Sequence, residues 1–374
     1  MTRSKLVPLL VEFLVYALLA CMTLLSQYFV HIDLPPSFVG ILMALPSINA
    51  LWANQLYFLM TYKTNLKRVV FLSTVAGIVS LWLLFISRNP LPIFVFCFLL
   101  MLSQGGLVPL LESSLIELAS RSNFPYGKIR LFGTLGYAIT AFFAGSFMSK
   151  NFIVLFVVYS ILFFLTEFTV QKSELSIEFH RRPSVHTIDK RFFVLFLIVT
   201  LSVGFNLFNT VFLPVLVRSK RFHPTSVGLS LSLMALSELP FLLLADRVVK
   251  KVGELKLLFS AIFVVGLRLA LASMVKNESQ LILIQLLHGW TYIVIYYTTL
   301  FLMRKNLSVQ TLQSMQIVFW TSLQGIGPLM GSSIGGLVIE NLGAETTYLI
   351  FGVFAMSLTS FGWYFKKTLS ETGG

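Results

Sequence analysis

Long apolar runs recur along the whole chain, separated by short polar turns, at 6–30, 37–61, 68–87, 91–119, 126–149, 152–171, 191–217, 225–246, 254–275, 279–303, 309–339 and 345–366. Each is near or above the roughly 20 residues that a helix needs to cross a bilayer core. The pattern predicts twelve spanning helices and leaves no extramembrane segment long enough for a soluble domain. The first run is too long for a signal-peptide core and lacks a small-residue cleavage site, so it is expected to stay in the mature protein.

The longest polar stretch, KSELSIEFHRRPSVHTIDKR, runs from Lys172 to Arg191 between the sixth and seventh apolar runs. It divides the chain into an N-terminal six-helix bundle (1–171), a cytoplasmic linker (172–190) and a C-terminal six-helix bundle (191–374). The linker reads as a solvated tether, and its His180 and His186 have no metal-ligand spacing. Six helices, a linker and six more is the plan of a transporter whose two bundles rock about a midplane site.

Composition sharpens this picture. Of 374 residues, 56% are hydrophobic and 11% charged, whereas a soluble domain carries about 45–50% apolar and about 25% charged residues. A soluble enzyme and a nucleic-acid binder are thereby excluded. The net charge of +13 then reports basic cytoplasmic loops rather than a nucleic-acid surface. With both termini inside, 21 of the 28 Lys and Arg fall on the cytoplasmic face and six on the outer face, and Arg268 lies within a span. The bias predicts a multi-pass protein of the cytoplasmic (inner) membrane; Arg218, Lys220 and Arg221 run against it. Cys21 and Cys97 sit in apolar runs without a CxxC partner, so neither a disulfide framework nor a metal site is expected. No cofactor is called for. A polytopic enzyme would need paired catalytic groups in a water-facing loop, and a membrane sensor would need a signalling domain. The chain offers neither, so catalysis is not expected.

An ionisable group at the bilayer centre costs at least about 2.5–3.5 kcal/mol and is a functional candidate by default. Seven stand out: Glu12, Glu112, Glu117, Arg130, Glu238, Arg268 and His288. Glu112 and Arg130 are each nine residues from the turn at Arg121, which at about 1.5 Å per residue puts both about 13 Å deep on adjacent antiparallel helices. They form either a structural ion pair or a substrate clamp, since arginine presents a planar donor fork and glutamate accepts hydroxyls. Tyr137, two turns beyond Arg130 on the same face, offers an aromatic surface to a sugar ring or an aromatic solute. Arg268 and His288 are each ten residues from position 278 and share a depth of about 15 Å. A satisfied core histidine and a functional one both fit. Glu238 precedes Pro240, which invites a kink, and no cation shares its depth on the adjoining helix. A lone carboxyl in an apolar bundle is protonated much of the time, as a proton carrier must be. Glu12 is only about two turns from the cytoplasmic edge and could snorkel, and Glu117 reads as interfacial. Gly133 with Gly136, and Gly327, Gly331 and Gly335, have the spacing of close helix packing.

The run ESSLIELASRSNFPYGKIRLFGTLGY (112–137) resembles, without a gap, the fourth and fifth helices of the lactose permease-like branch of the major facilitator superfamily, the oligosaccharide–proton symporters. A second ungapped resemblance runs from about Gly253 to Tyr348. Phenylpropionate-type and nucleoside permeases share similar GxIRxxGxxG and LHG signatures. The resemblance implies an all-α membrane protein with twelve transmembrane helices in two six-helix bundles. It implies substrate-binding roles for Glu112, Arg130, Tyr137 (in place of a tryptophan) and His288, and a coupling role for Arg268. The departures are equally specific. The family's proton-carrying glutamate is Thr291, its acidic pair in the seventh span is Asn206 and Asn209, and its lysine in the eleventh is Gln324. Its substrate glutamate in the eighth span aligns with Ala235, so that Glu238, one turn further on, is the nearest carboxyl. These departures point away from lactose itself, and leave Glu238 with Arg268 and His288 as the proton-coupling candidates. The loop signature of the superfamily is degraded in FLMTYKTNLKR but better kept in ADRVVKKVG, where Asp246 and Arg247 are the gating candidates. Asp246 is expected to engage basic or backbone groups of a neighbouring cytoplasmic helix end.

The function expected is therefore secondary active transport: proton-coupled symport of a small polar organic solute by alternating access. A sugar or glycoside is preferred, and an aromatic acid or nucleoside is the alternative. The partners expected are the solute, a proton and the lipid bilayer, without nucleic acid, and the chain is expected to act as a monomer.

Overall fold

The computed structural model of the chain describes residues 3–122, 126–176 and 192–361. The linker beyond residue 176, with His180 and His186, lies outside the described residues. The rest is helical, without a strand among the described residues. In order, the helices are α1 (Arg3–His31), α2 (Pro36–Lys63), α3 (Leu66–Ile86), α4 (Pro90–Ser122), α5 (Tyr126–Met148), α6 (Ile153–Gln171), α7 (Phe193–Ser219), α8 (Thr225–Ser237), α9 (Leu239–Val252), α10 (Glu254–Met274), α11 (Glu278–Ile284), α12 (Tyr292–Asn306), α13 (Val309–Trp320), α14 (Gly327–Leu342) and α15 (Ala344–Ser357). Taken through their breaks, ten of the helical segments are long and apolar enough to cross a membrane.

Polar side chains mark the ends of these helices. Asn65 caps α3 by accepting from the Arg68 amide at 2.8 Å, and Asn277 caps α11 by accepting from the Gln280 amide at 2.9 Å, each supplying an acceptor to an otherwise orphaned amide. Gly253 and Gly343, at φ 88° and 80°, turn the chain out of α9 and α14 in a conformation that residues with a Cβ rarely adopt.

The chain divides into two compact units. The first contains α1, α2 from Leu45 onward, α3–α6 and the stretch Val227–Ser232 of α8; the second contains Leu34–Ala44, α7, the remainder of α8 and α9–α15. In both, polarity is inverted relative to a soluble domain. Phe71, Phe143, Phe164 and Leu243 are more than half exposed, while Glu12, Asn49, Gln104, Asn209, Arg268 and Gln285 are fully buried. An apolar exterior over polar interior groups is the arrangement that lipid demands.

The glycine pairs do what their spacing suggests. In the first unit α1 packs on α5, and a Cβ at Gly136 would lie 2.2 Å from the Phe13 carbonyl oxygen. In the second, a Cβ at Gly331 of α14 would lie 2.0 Å from the Gly204 carbonyl oxygen of α7. Backbone on both sides leaves no flexible side chain to move aside. Gly136→Ala is therefore expected to destabilise the protein by about 1–3 kcal/mol, the usual cost of overpacking. Thermal melting of purified protein checks this, with Gly127→Ala, where a Cβ meets nothing within 4 Å, as the neutral control.

Candidate functional site

Each unit carries a cluster of charged side chains within its helices. In the first, three helices converge on Arg130 of α5. Its Nη1 donates to Glu12 Oε1 of α1 at 3.4 Å and lies 3.6 Å from Glu112 Oε1 of α4. Tyr16, one turn beyond Glu12, donates its hydroxyl to Glu112 Oε1 at 2.6 Å. The Arg130 guanidinium stands 4.1 Å from the centre of the Tyr16 ring, a cation–π contact. Gly133, one turn from Arg130, makes the space. A Cβ there would lie 2.7 Å from the Tyr16 ring and 3.1 Å from Glu12 Oε1.

Accessibility within this cluster is graded. The Arg130 and Glu112 side chains are 40% and 31% exposed, and that of Glu12 is 0% exposed. Among the described residues, Arg130 Nε and Nη2 and Glu112 Oε2 make no hydrogen bond or ion pair. These two partly exposed, neighbouring side chains thus keep donors and an acceptor oxygen without a hydrogen-bond partner. Tyr137 lies two turns further along α5, half-buried, and Glu117 is half-buried on α4.

Glu12 differs from its sequence reading. Counted from the chain start it is shallow, but the close approach of α5 buries it completely, so it pairs with Arg130 instead of snorkelling. Hairpin arithmetic had no means of finding this pair, because α1 and α5 are not consecutive. Tyr16 escaped the sequence reading as well. Its only signal is a position four residues after Glu12, on the same helical face.

The second cluster is built where helices break. α8 stops at Ser237, α9 restarts at Leu239 with Pro240 in its first turn, and Glu238 lies at the junction. Between α11 and α12, residues Gln285–Trp290 tighten into a 3-10 turn that carries His288, and Thr291 follows with φ −116° and ψ −99°. The two breaks meet: a Cβ at Gly289 would lie 2.0 Å from the Ser237 carbonyl oxygen. A third irregularity, the π-helical segment Thr321–Ile326 between α13 and α14, carries Gln324, whose Nε2 donates to the Tyr292 hydroxyl at 3.1 Å. Interrupted helices of this kind are tolerated at membrane depth where neighbouring groups re-satisfy the backbone, and they mark functional positions.

At these breaks Arg268 of α10, which is fully buried, donates through Nη1 to His288 Nδ1 at 2.5 Å and through Nη2 to Asn206 Oδ1 of α7 at 2.7 Å. His288 Nε2 lies 3.2 Å from Glu238 Oε1. Arginine keeps its protons, so Nδ1 is the accepting nitrogen, and a neutral imidazole carries its proton on Nε2, facing the carboxylate. The result is a relay from Arg268 through His288 to Glu238 that balances one positive charge with one negative. Thr291 Oγ1 closes it, 3.2 Å from Asn206 Oδ1 and donating to the His288 carbonyl at 2.8 Å. Glu238 was expected without a cationic neighbour. The structure gives it the His288 imidazole as a partner, with the cationic Arg268 one ring further on, because the end of α8 meets the 3-10 turn of a helix that is not its neighbour in sequence. Asn206 and Thr291, which stand where the resemblance expects acids, are members of the relay. Asn209 instead donates to Gln285 Oε1 at 3.2 Å.

Asp246 on α9 accepts from the Tyr297 hydroxyl of α12 rather than from a basic or backbone group, and Arg247 beside it is exposed. The Tyr297 ring also meets Phe241 edge-on, which holds the hydroxyl at the height of Asp246. No group of three or more metal-ligating side chains occurs among the described residues.

An apolar-faced helical chain with buried ion clusters and interrupted helices defines a multi-pass membrane transporter. The model of the MFS_1-like family matches residues 9–350, and the chain belongs to that family of the major facilitator superfamily. It is a secondary transporter of a small solute. An uncharacterized transporter, YwbF, of Bacillus subtilis is 22% identical over 357 residues, covering 91% of this chain and 87% of the relative. The maltose permease of Geobacillus stearothermophilus is 24% identical over 362 residues, covering 94% and 91%. Among solved structures, the nucleoside transporter NupG superposes with a TM-score of 0.83 at 18% identity, covering 98% of this chain and all of that one. A bacterial homologue of the lysosomal transporter Spinster reaches 0.77 at 11%, covering 98% of both chains. These structural likenesses establish the shared fold.

Proposed function

We propose that the protein is a twelve-helix carrier of the cytoplasmic membrane, with two six-helix bundles and both termini cytoplasmic. As a monomer it couples entry of a proton to entry of a neutral, hydroxyl-bearing solute by alternating access. A sugar or glycoside is the preferred cargo. The observation that carries this reading is that Arg130 and Glu112 stand 3.6 Å apart in the first cluster, both partly exposed. Arg130 Nε and Nη2 and Glu112 Oε2 make no hydrogen bond or ion pair among the described residues. Donors and an acceptor on two neighbouring side chains match a pair of neighbouring hydroxyls, and Tyr137, two turns along α5, is the aromatic candidate for the ring. The maltose permease likeness supports the same class. A nucleoside, whose ribose also presents neighbouring hydroxyls, is the second reading.

An aromatic acid fits less well. Two carboxylates already flank Arg130, and Arg268 is fully buried with both terminal nitrogens engaged. No pair of arginines is left to clamp an anion. In the second unit the relay through Arg268, His288 and Glu238 is the coupling site. A proton delivered to Glu238 removes the negative charge that balances Arg268 and so favours a different arrangement of the interrupted helices around it.

Asp246 and Arg247 act as the gate, with Tyr297 as the partner of Asp246. Asp246→Asn and Tyr297→Phe are expected to change turnover while leaving solute affinity within about twofold, because neither residue belongs to a charged cluster. Cysteine accessibility from the two membrane faces checks the assignment, and a pattern identical to the parent in both variants removes it.

The cargo class is tested by thermal-shift screening of purified protein against sugars, nucleosides and aromatic acids. A ligand at 100 times its dissociation constant stabilises the folded state by about 2.7 kcal/mol. Stabilisation by a sugar or glycoside is the expected result. Stabilisation by aromatic acids alone overturns the reading.

A further inference from the structure

Glu12 has no role in the site as proposed, yet it is the member of the first cluster whose side chain is closed off from the surface, while those of Arg130 and Glu112 are partly exposed. Its side chain is fully buried. One oxygen accepts from Arg130 at 3.4 Å, while Oε2 is buried without a hydrogen-bond partner among the described residues. A charged carboxylate oxygen without a donor, inside a bundle surrounded by lipid, is a costly arrangement.

Charge counting leads to the same residue. The second cluster is neutral, with Arg268 set against Glu238. The first is not, because one guanidinium faces two carboxylates at nearly equal distances of 3.4 and 3.6 Å. Both contacts are made by the same nitrogen. With both acids ionised the cluster carries one uncompensated negative charge within the membrane, and a single proton removes it.

The two acids are not equivalent recipients. Glu112 is partly open and accepts from Tyr16 as well as facing Arg130. Glu12 is sealed. Among the described residues, the charges that bear on Glu12 are Glu112 from α4 and Arg130 from α5. α6 carries Glu167 and Tyr159, neither of which forms an ion pair or hydrogen bond with Glu12.

We infer that Glu12 is a second proton-binding site of the carrier, distinct from the relay in the other unit, and that its proton is linked to solute binding. With Glu12 protonated, Arg130 is balanced by Glu112 alone, and the pair is presented to solute hydroxyls. When the proton leaves Glu12 for water on the side to which the site opens, the new carboxylate draws Arg130 inward and away from the solute. Uptake of the proton reverses the shift. The link to solute rests on the cargo reading above; the protonation of Glu12 does not.

Infrared spectroscopy of purified protein carrying ¹³C-labelled glutamate separates the two. In Glu12→Asp, which keeps a carboxyl but loses the label, a component of the labelled protonated-carboxyl stretch at neutral pH is expected to disappear and return at the unlabelled position. In Glu112→Asp the labelled stretch is expected to stay. An unchanged labelled stretch in Glu12→Asp, or its loss in Glu112→Asp, overturns the proposal. Both variants are made with Glu238→Gln, which removes the labelled carboxyl of the other cluster, so that the second variant decides it even if the first fails to fold. Maltose supplies the solute-linked arm. Affinity of the parent should fall about tenfold per pH unit once Glu12 ionises, and Glu12→Gln, fixed in the neutral form, should flatten that slope. An undiminished slope in a folded Glu12→Gln protein overturns the link. If neither maltose nor any other sugar, glycoside or nucleoside of the thermal-shift screen binds, the cargo reading fails while the spectroscopic result still decides Glu12.

Discussion

Glu238→Gln is expected to lower concentrative uptake by the share of one proton and to leave exchange of solute across a gradient-free membrane intact. Glutamine is nearly the same size and its carbonyl can still accept from His288 Nε2, now 3.2 Å from the carboxylate oxygen, so the hydrogen bond survives and the charge does not. Arg268 then stays uncompensated in every state of the relay, and no proton can alter the balance there. A gradient of one pH unit is worth about 1.4 kcal/mol per proton, roughly tenfold accumulation. In reconstituted vesicles the variant is expected to lose about tenfold in accumulation per unit of pH gradient while its exchange rate stays within a few fold of the parent. Parental accumulation in Glu238→Gln would remove the relay from the coupling path.

Arg130→Lys weakens solute binding on the order of 100-fold while the protein still folds and inserts. Hydrogen bonds to charged groups are worth about 1.5–3 kcal/mol each, and the substitution removes those that Nε and Nη2 have to offer. The ammonium of lysine is a point charge without a planar fork. It can approach Glu12 or Glu112, but it has no second edge to present to the solute. Tyr16 loses its stacked guanidinium in the same step. Binding is measured by calorimetry with the solute found in the thermal-shift screen, and expression is checked by size exclusion. Unchanged affinity would reduce the Arg130 cluster to a structural ion pair.

Both results depend on residues that differ in how openly the chain announces them. Glu112 and Arg130 flank a single turn, as do Arg268 and His288. Equal counts from the turn are enough to match their depths, and the structure brings the members of each pair together. Glu12 and Glu238 have no such bookkeeping available. Their partners lie on helices that are neighbours in space and not in sequence, so the count from the nearest turn describes Glu12 as shallow and Glu238 as solitary. The same limit hid Tyr16 from Glu112 and Tyr297 from Asp246. It also gave Asn206 and Thr291 the look of losses, although side by side they complete the relay around Arg268 and His288.

What the chain determined by itself is whatever depends on local length and hydropathy: apolar spans that must satisfy their own backbone hydrogen bonds as helices, polar turns between them, and glycine spacings that permit close packing. Tertiary structure alone decided which buried charges meet. Close approach of α1 to α5 across Gly133 and Gly136 encloses Glu12. The breaks at Ser237–Leu239 and Gln285–Trp290 turn Glu238 and His288 toward each other. Ion pairing falls off over a few ångströms, and such distances are set by how non-consecutive helices pack, which no period along a single helix encodes.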